Sequence, residues 1–246
     1  METGKISKLA VVETDRIGSN VTIGEFSVIR KGVVLGDDVV IHPHVVIESG
    51  VTIGKGTEIF PSTYIGKEPK GAGATARNLD FIREVTIGEH CCVGPNAVIY
   101  CDVQIGDSTL VGDAASIREK SRVGSKSIIG RHVTLSYVSI IGSYTKILDH
   151  CTMGGNVTVG DHVFIGTDTH TANDNSFGAE GWSDDMIGPT IKDGANIGVG
   201  ALLLPGVVIE KGVLIGAGSV VYRSVKEGFV TMAAAAREMP RPPKKE

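Results

Sequence analysis

The chain predicts an all-β fold: a coil of short parallel strands, three to a turn, stacked into a triangular prism. Three regularities carry this reading. An aliphatic residue returns every six positions, a small residue stands four places after it, and a corner-forming residue stands three places after it. From Ile17 the aliphatic position recurs at 23, 29, 35, 41, 47, 53, 59 and 65, slips, runs unbroken from Ile87 to Ile165, slips again and resumes from Ile191 to Val221. Of 29 such hexads, all begin with Ile, Leu or Val except the one at Met153.

Period six fits neither a 3.6-residue helix nor a simple alternating strand. It fits a hexad that makes one short strand and one corner. The aliphatic side chain fills a narrow interior, and the residue four places on is Ala, Ser, Thr, Cys or Val in every hexad but that of Ile65, because a larger one would meet the wall. Glycine usually follows the aliphatic residue, as in Ile53-Gly54 and Ile215-Gly216. Asn20, Asp38, Gly56, Asn96, Gly206 and Gly218 represent a fourth position that favours residues tolerant of positive φ. Three hexads close one turn, and stacked turns pair about 4.8 Å apart. Counting Phe81–Thr86 as an additional hexad gives roughly ten coils, held together mainly by neighbour contacts.

Two segments lack the period, 67–80 and about 171–190, the latter holding the sole tryptophan, Trp182. They read as loops extruded from a rigid prism, and long loops in a compact fold are more often functional or intersubunit than idle. The expected organisation is a β-helix domain over 1–225 and a C-terminal cap and tail over 226–246, with an Ala-rich stretch at 233–236.

Composition narrows the class. With 41% apolar and 21% charged residues in 246, the chain is neither disordered nor membrane-spanning, and 33 Gly without a three-residue period exclude collagen. A net charge of −4 gives no electrostatic reason to expect nucleic acid or an anionic membrane as partner. Cys91, Cys92, Cys101 and Cys151 form no CxxC pattern, and the first residues lack a signal-peptide core, so a reduced, cytoplasmic protein is expected.

The repeats, and the stretch Ile197-Gly-Val-Gly-Ala-Leu-Leu-Leu-Pro-Gly followed by Val207–Val221, resemble the hexapeptide-repeat acyltransferases with a left-handed parallel β-helix. The hand comes from that resemblance, since the general crossover rule favours the opposite one. The resemblance implies a homotrimer, an acyl-CoA co-substrate such as acetyl-CoA, no metal, and active sites between subunits. By position it implies that small-residue corners at Ala201, Ala217 and Ser219 hold the pantetheine arm. Relatives often end in Val-Ala-Gly-Asn-Pro-Ala-Lys, whereas this chain has Thr231-Met-Ala-Ala-Ala-Ala-Arg237. Arg223, Lys226 and Arg237 are candidates for the CoA phosphates, or simply exposed cap charges.

Ile59-Phe-Pro-Ser-Thr-Tyr-Ile-Gly-Lys-Glu-Pro-Lys70 and Phe81-Ile-Arg-Glu-Val-Thr-Ile-Gly88 resemble nucleotide-sugar acyltransferases, including the UDP-N-acetylglucosamine acyltransferases. Cys92-Val-Gly-Pro-Asn-Ala-Val-Ile-Tyr-Cys-Asp102, Ala115-Ser-Ile-Arg-Glu119 and Thr171-Ala-Asn-Asp-Asn175 look closer to N-acyltransferases of dTDP-linked amino-dideoxy sugars. The implied function is transfer of a short acyl group from CoA to the amine of a nucleotide-linked sugar. The alternatives are sugar O-acetyltransfer, a lipid A type UDP-aminosugar acyltransferase, a non-catalytic trimeric scaffold and a γ-class carbonic anhydrase. The last needs three metal histidines, for which the pairs His42/His44 and His162/His170 have unsuitable spacing.

Attack of a neutral amine on a thioester needs a deprotonated nucleophile, a donor to the oxyanion and a proton acceptor, which the leaving thiolate can itself be. Residues 18 apart stack, so His132, His150 and Asp168 are expected in one column at about 5 Å spacing. His150 is a candidate base, although His44, His90, His132, His150 and His162 all occupy the corner position, where positive φ alone accounts for them. Asp102 stacks with Lys120 and Asn156 and is a candidate to orient or deprotonate an amine with Glu119 nearby, or a corner aspartate paired to Lys120. Cys92 and Tyr100 accompany it in the same motif. Asn173 and Asp174 are expected either at the substrate or in an Asx-turn. Arg83 and Arg118 are candidates for the sugar-nucleotide diphosphate.

Overall fold

The computed structural model describes residues 4–74, 77–176, 178, 179, 181 and 186–234. It is a parallel β-helix of short strands, with no α-helix among those residues. Three ladders form the faces of the prism. Face one runs through Ile23, Ile41, Ile59 and Val93 to Ile215 and Thr231, face two through Val12, Ile29, Ile47 and Ile65 to Val221, and face three through Leu35, Ile53 and Ile87 to Ile209. Isolated bridges extend them at Ile6, Ile17 and Val225. Eleven coils are complete and a twelfth begins at Val230–Thr231. Coils of three hexads with positive φ at their corners agree with the left-handed winding expected above.

The count exceeds ten because the coil extends further at both ends. Ile6 pairs with Ile23 and Val12 with Ile29, so a first coil slightly shorter than three hexads precedes Ile17 and escapes a strict search for period six. Ile87 pairs with Ile53 and closes the coil of Ile59 and Ile65, so Phe81–Thr86 is not an additional hexad: 81–84 belong to the insertion, and Val85 and Thr86 to the strand that follows it. At the other end Val225 pairs with Ile209, and Val230–Thr231 pairs with Leu214–Ile215, again through turns that fall short of three hexads. The coil therefore runs past 225 into the segment expected to be a cap.

The interior is a single column of aliphatic side chains, from Ile23 to Ile215, almost all fully buried. Each such side chain withdrawn from water contributes about 1.5–3 kcal/mol. The small residue four places on is buried too, and where it carries a hydroxyl it serves the corners. Thr109, Ser127 and Thr145 stack in successive coils. Their hydroxyls donate to the carbonyls of Gly124, Gly142 and Gly160 at 3.0, 2.9 and 2.7 Å, and the Ser127 and Thr145 hydroxyls accept from the amides of Thr145 and Val163 at 3.1 Å each. A small polar residue is therefore selected twice, by the space available and by backbone groups that would otherwise be buried without partners. Near the C-terminal end the hydroxyl of Ser219 is buried and unpartnered among the described residues.

Most corner residues have positive φ, including all five histidines noted above, at 54–63°. Some corners carry residues that the sequence pattern does not favour there, among them Phe26, Val138 and Tyr144, at 61°, 56° and 56°. For β-branched Val138 this conformation costs about 1–2 kcal/mol.

No helix among the described residues is long and apolar enough to cross a membrane. Thr145→Val keeps the volume but leaves the Gly160 carbonyl and the Val163 amide without their buried partner. It is expected to lower stability by about 1–3 kcal/mol, read as a fall in the denaturant midpoint, while a threonine-to-valine change on the exposed side of a strand, at Thr158, leaves the midpoint nearly unmoved.

Candidate functional site

Both insertions leave the prism at the same corner, between faces two and three. The first departs after Ile65 and returns at Val85, and the second departs after Thr171 and returns at Thr190. Between them lie four coils whose corner segments are Tyr100-Cys-Asp102, Arg118-Glu-Lys120, Ser136-Tyr-Val138 and Gly154-Gly-Asn156. In the first three the usual second-place glycine is replaced by a larger residue. These side chains project into the groove framed by the two loops.

Glu119 is the centre of this groove. Its side chain is 0% exposed and forms ion pairs with Arg77, which arrives from the first loop, and with Arg118 at 3.2 Å. Arg77 is itself 10% exposed, and its guanidinium lies 4.1 Å above the Tyr137 ring. Asn173, from the second loop, donates to the Tyr137 hydroxyl at 3.0 Å. Gly155 lies under that ring, and a Cβ there would collide with it. Lys120 holds the first loop a second time through Asp80 at 3.2 Å, and Asn156 holds the second through the Met186 carbonyl at 2.7 Å. Two loops far apart in sequence are thus fastened to one stretch of corner.

Tyr100 continues the row. Lys67 stands 4.8 Å from one side of its ring and Arg118 5.6 Å away. Lys67 owes its place to a β-bulge: Ile65 pairs with Ile99, but Tyr100 pairs with Lys67, and Gly66 absorbs the extra residue at φ 89°. Beside it opens a cleft of about 630 Å³ lined by Lys67, Lys70, Arg83, Glu68 and Tyr64. In its wall Tyr64 donates to Glu48 at 2.8 Å, and burial followed by that bond pushes its hydroxyl up to about 12. Arg83 is tied to Glu68 at 2.6 Å, a pairing that holds the Glu68 carboxyl below its ordinary range.

Asp102 lies one coil before Lys120 at this corner, but the two are not paired. Its carboxylate takes the Arg122 guanidinium at 2.8 Å, and Arg122 also donates to its carbonyl at 2.7 Å. Lys120 instead turns to the loop. The alternative of an Asp102–Lys120 pair is corrected by geometry: on adjacent coils the residue that reaches back is Arg122, on the strand that follows the corner, and not the corner lysine itself.

The other candidates lie elsewhere. The His132 and His150 rings stack at 5.0 Å and 7° on the corner between faces one and two, with Asp168 the next corner residue of the column. His150 is exposed, and none of the described contacts joins its ring to the Asp168 carboxylate. Ala201, Ala217 and Ser219 lie on that same corner in later coils, Ala201 and Ser219 buried and Ala217 exposed. Ser219, Arg223 and Lys226 border a cleft of about 860 Å³ at the C-terminal end, with Tyr222, Phe229 and Met232. Arg237 and Trp182 lie outside the described residues. Cys92 sits on face one between Glu58 and Leu110, away from both corners. Asp174 folds back on its own loop, accepting from the Ser176 amide and hydroxyl and the Gly178 amide at 2.6–2.7 Å, bonds that depress its carboxyl. That is the Asx-turn alternative. Of the anhydrase histidines, His42 is bonded to Glu58 at 2.7 Å and His44 stacks on Phe26.

Arg77, Tyr137 and Arg122 are absent from the sequence-derived candidates. Tyr137 has a signal, a bulky residue beside a missing second-place glycine, in register with Glu119. Arg77 has none, since it belongs to an aperiodic loop.

The family model described as the GMPPB C-terminal domain matches residues 76–174, that of the bacterial transferase hexapeptide (six repeats) matches 16–49 and 32–67, and that of the hexapeptide repeat of succinyl-transferase matches 190–223. No curated protein matches. Similar solved structures include a UDP-N-acetylglucosamine acyltransferase from Arabidopsis, 17% identical with a TM-score of 0.62 over 93% of this chain and 71% of that one. One from Campylobacter jejuni is 18% identical with a TM-score of 0.55 over 84% and 68%. These likenesses concern the fold.

Two outcomes follow from the site as built. Gly155→Ala displaces the Tyr137 ring, and hydrogen exchange should quicken in both 67–80 and 171–190 while the core coils stay protected. Exchange that quickens in neither loop would contradict the shared anchorage. Burial pushes the thiols of Cys101 and Cys151 up to about 11. The fold therefore favours the neutral thiol, and the stability this contributes is complete below about pH 9 and is lost as pH climbs to about 11. Thiol titration of the native protein at neutral pH should reach Cys92 before either of them.

Proposed function

We propose that this chain, a member of the hexapeptide-repeat β-helix superfamily, is an acyl-CoA-dependent N-acyltransferase acting on the amine of a nucleotide-linked amino-deoxy sugar, dTDP-linked by the likeness of its motifs. The observation that carries the reading is the division of labour between two corners. The loop-framed groove of Glu119, Tyr137 and Tyr100 lies at one corner. His150 and the small-residue corners suited to a pantetheine arm lie at another, with the whole of face two between them. A single prism cannot bring them to one substrate. A homotrimer can, by setting the groove of one copy against His150 of the partner subunit, which supports the expectation of sites between subunits.

In this reading the groove takes the sugar and the row of Lys67, Arg118 and Arg83 takes the diphosphate, as cations matched to phosphate oxygens. The neutral amine attacks the thioester carbonyl, the nitrogen–carbon bond forms, and the carbon–sulfur bond breaks to release CoA thiolate. The amine's proton passes to the thiolate or by way of His150. Asp102, with its carboxylate committed to Arg122, is a positioning residue that fixes the wall of the groove. Ser219, Arg223 and Lys226 support CoA binding at the C-terminal coils, where an unpartnered hydroxyl meets an apolar cleft edged by cations. Transfer to a hydroxyl, as the name of the UDP-N-acetylglucosamine acyltransferases leaves open, is the second outcome the experiment must separate.

Acetyl-CoA should raise the melting temperature, and a panel of dTDP-, UDP- and GDP-linked sugars, with and without an amine, should release thiol only with the amines. His150→Ala is expected to lower kcat by about 10²-fold or more if it relays the proton, and Asp102→Asn to lower stability more than rate. Turnover of hydroxyl sugars alone would overturn N-transfer, and no response to CoA would overturn acyl transfer.

A further inference from the structure

The groove holds a feature that acyl transfer by itself does not call for: a fully buried carboxylate whose principal counter-ion is supplied by a loop. Glu119 is 0% exposed, and of its two arginines only Arg118 belongs to the prism; Arg77 is brought in from the insertion, 42 residues away in sequence. Arg118 divides its charge between Glu119 and the faces of Tyr100 and Tyr137, at 5.6 and 6.0 Å. Arg77 lies over the Tyr137 ring at 4.1 Å, so an aromatic face and a carboxylate together enclose one cation. That combination of a desolvated carboxylate, a π face and the amide of Asn173 on the ring's hydroxyl is a receptor for an organic cation. At present the chain fills it with its own side chain. The loop is otherwise held near this point by the Lys120–Asp80 pair alone among the described ion pairs, and that pair is solvent-exposed and weakly bound.

We propose that Glu119 is the anchor that recognises the ammonium form of the acceptor's amine, that Arg77 is an internal stand-in that keeps the anchor neutralised and the groove closed until the acceptor displaces it, and that the bound ammonium passes its extra proton to the Glu119 carboxylate to leave the neutral amine that attacks. The inference rests on the aminosugar reading and adds to it a specificity-determining residue and a latch. It explains why a carboxylate is tolerated at zero exposure in a corner where the neighbouring coils carry Cys101 and Tyr137: an unpaired buried charge is costly, and Arg77 of the loop offsets that cost. It also accounts for the groove's selectivity. A hydroxyl in place of the amine has no charge with which to replace Arg77, and leaves the latch shut.

The test uses the full chain, the variants Arg77→Ala and Glu119→Gln, and pairs of dTDP-, UDP- and GDP-linked sugars differing only in amine or hydroxyl. Binding is measured by calorimetry, and hydrogen exchange of 67–80 is followed in parallel. Arg77→Ala should free the loop and tighten binding of the amine severalfold without favouring the hydroxyl partner. Glu119→Gln should also free the loop but weaken the amine by about tenfold, with little change for the hydroxyl. If freeing the loop in Arg77→Ala leaves amine affinity unchanged or lower, the latch is wrong. If both substitutions shift amine and hydroxyl equally, Glu119 is structural and the anchor is wrong, while the aminosugar reading stands. If neither the native chain nor Arg77→Ala binds any of the amines, the aminosugar reading falls and this inference with it. Should Glu119→Gln fail to fold, Arg77→Ala alone still decides the latch.

Discussion

The width of the coil interior governs everything else in this molecule. One aliphatic side chain per face fills the cross-section, and parallel pairing between successive turns requires each strand to keep its register. An extra residue within a strand would turn every following side chain inside out. Extra length is therefore confined to corners, and the two long insertions obey this. The one irregularity in the strand pairing, the bulge at Gly66, lies where the first insertion begins and is used to turn Lys67 toward Tyr100.

The same confinement explains why a polar site forms where it does. Glycine in second place lets one corner lie against the next, so a corner that lacks it must send a side chain outward. Tyr100, Arg118 and Ser136 replace it in three successive coils, and the residues beside them, Glu119 and Tyr137 above all, then meet in one column. Gly154 and Gly155 end the row and give the Tyr137 ring a floor. A repeating scaffold thus makes a site where three successive turns without that glycine lie between two loops.

Electrostatics divides the corner further. Asp102 takes its cation, Arg122, from the prism and only the Ile82 amide, at 3.4 Å, from the first insertion, whereas Glu119 takes one of its two arginines from a loop. Equal carboxylates one coil apart therefore have unequal roles: one is bound for good to its scaffold and the other is bound to an element able to leave. The exposed His132–His150 stack belongs to neither arrangement. It shares its corner with Ala201 and Ala217, and face two separates it from the groove.

Sequence alone determined the solenoid, the burial of the aliphatic column, the positive φ at corners such as His150 and Asn96, the stacking of His132 on His150, and the location of both insertions. These depend on contacts between residues at fixed separation, which a linear pattern records in full. It did not reveal the first coil at Ile6 or the strand at Val230–Thr231, because turns shorter than three hexads break the count without breaking the pairing. Nor did it reveal which cation each acid takes. Lys120 and Arg122 are almost equally close to Asp102 in sequence, and Arg77 is distant from Glu119. Tertiary structure made those choices, because the reach and direction of a side chain are set by where on the strand or corner its backbone lies, and because a loop without a period can be located only by what it touches.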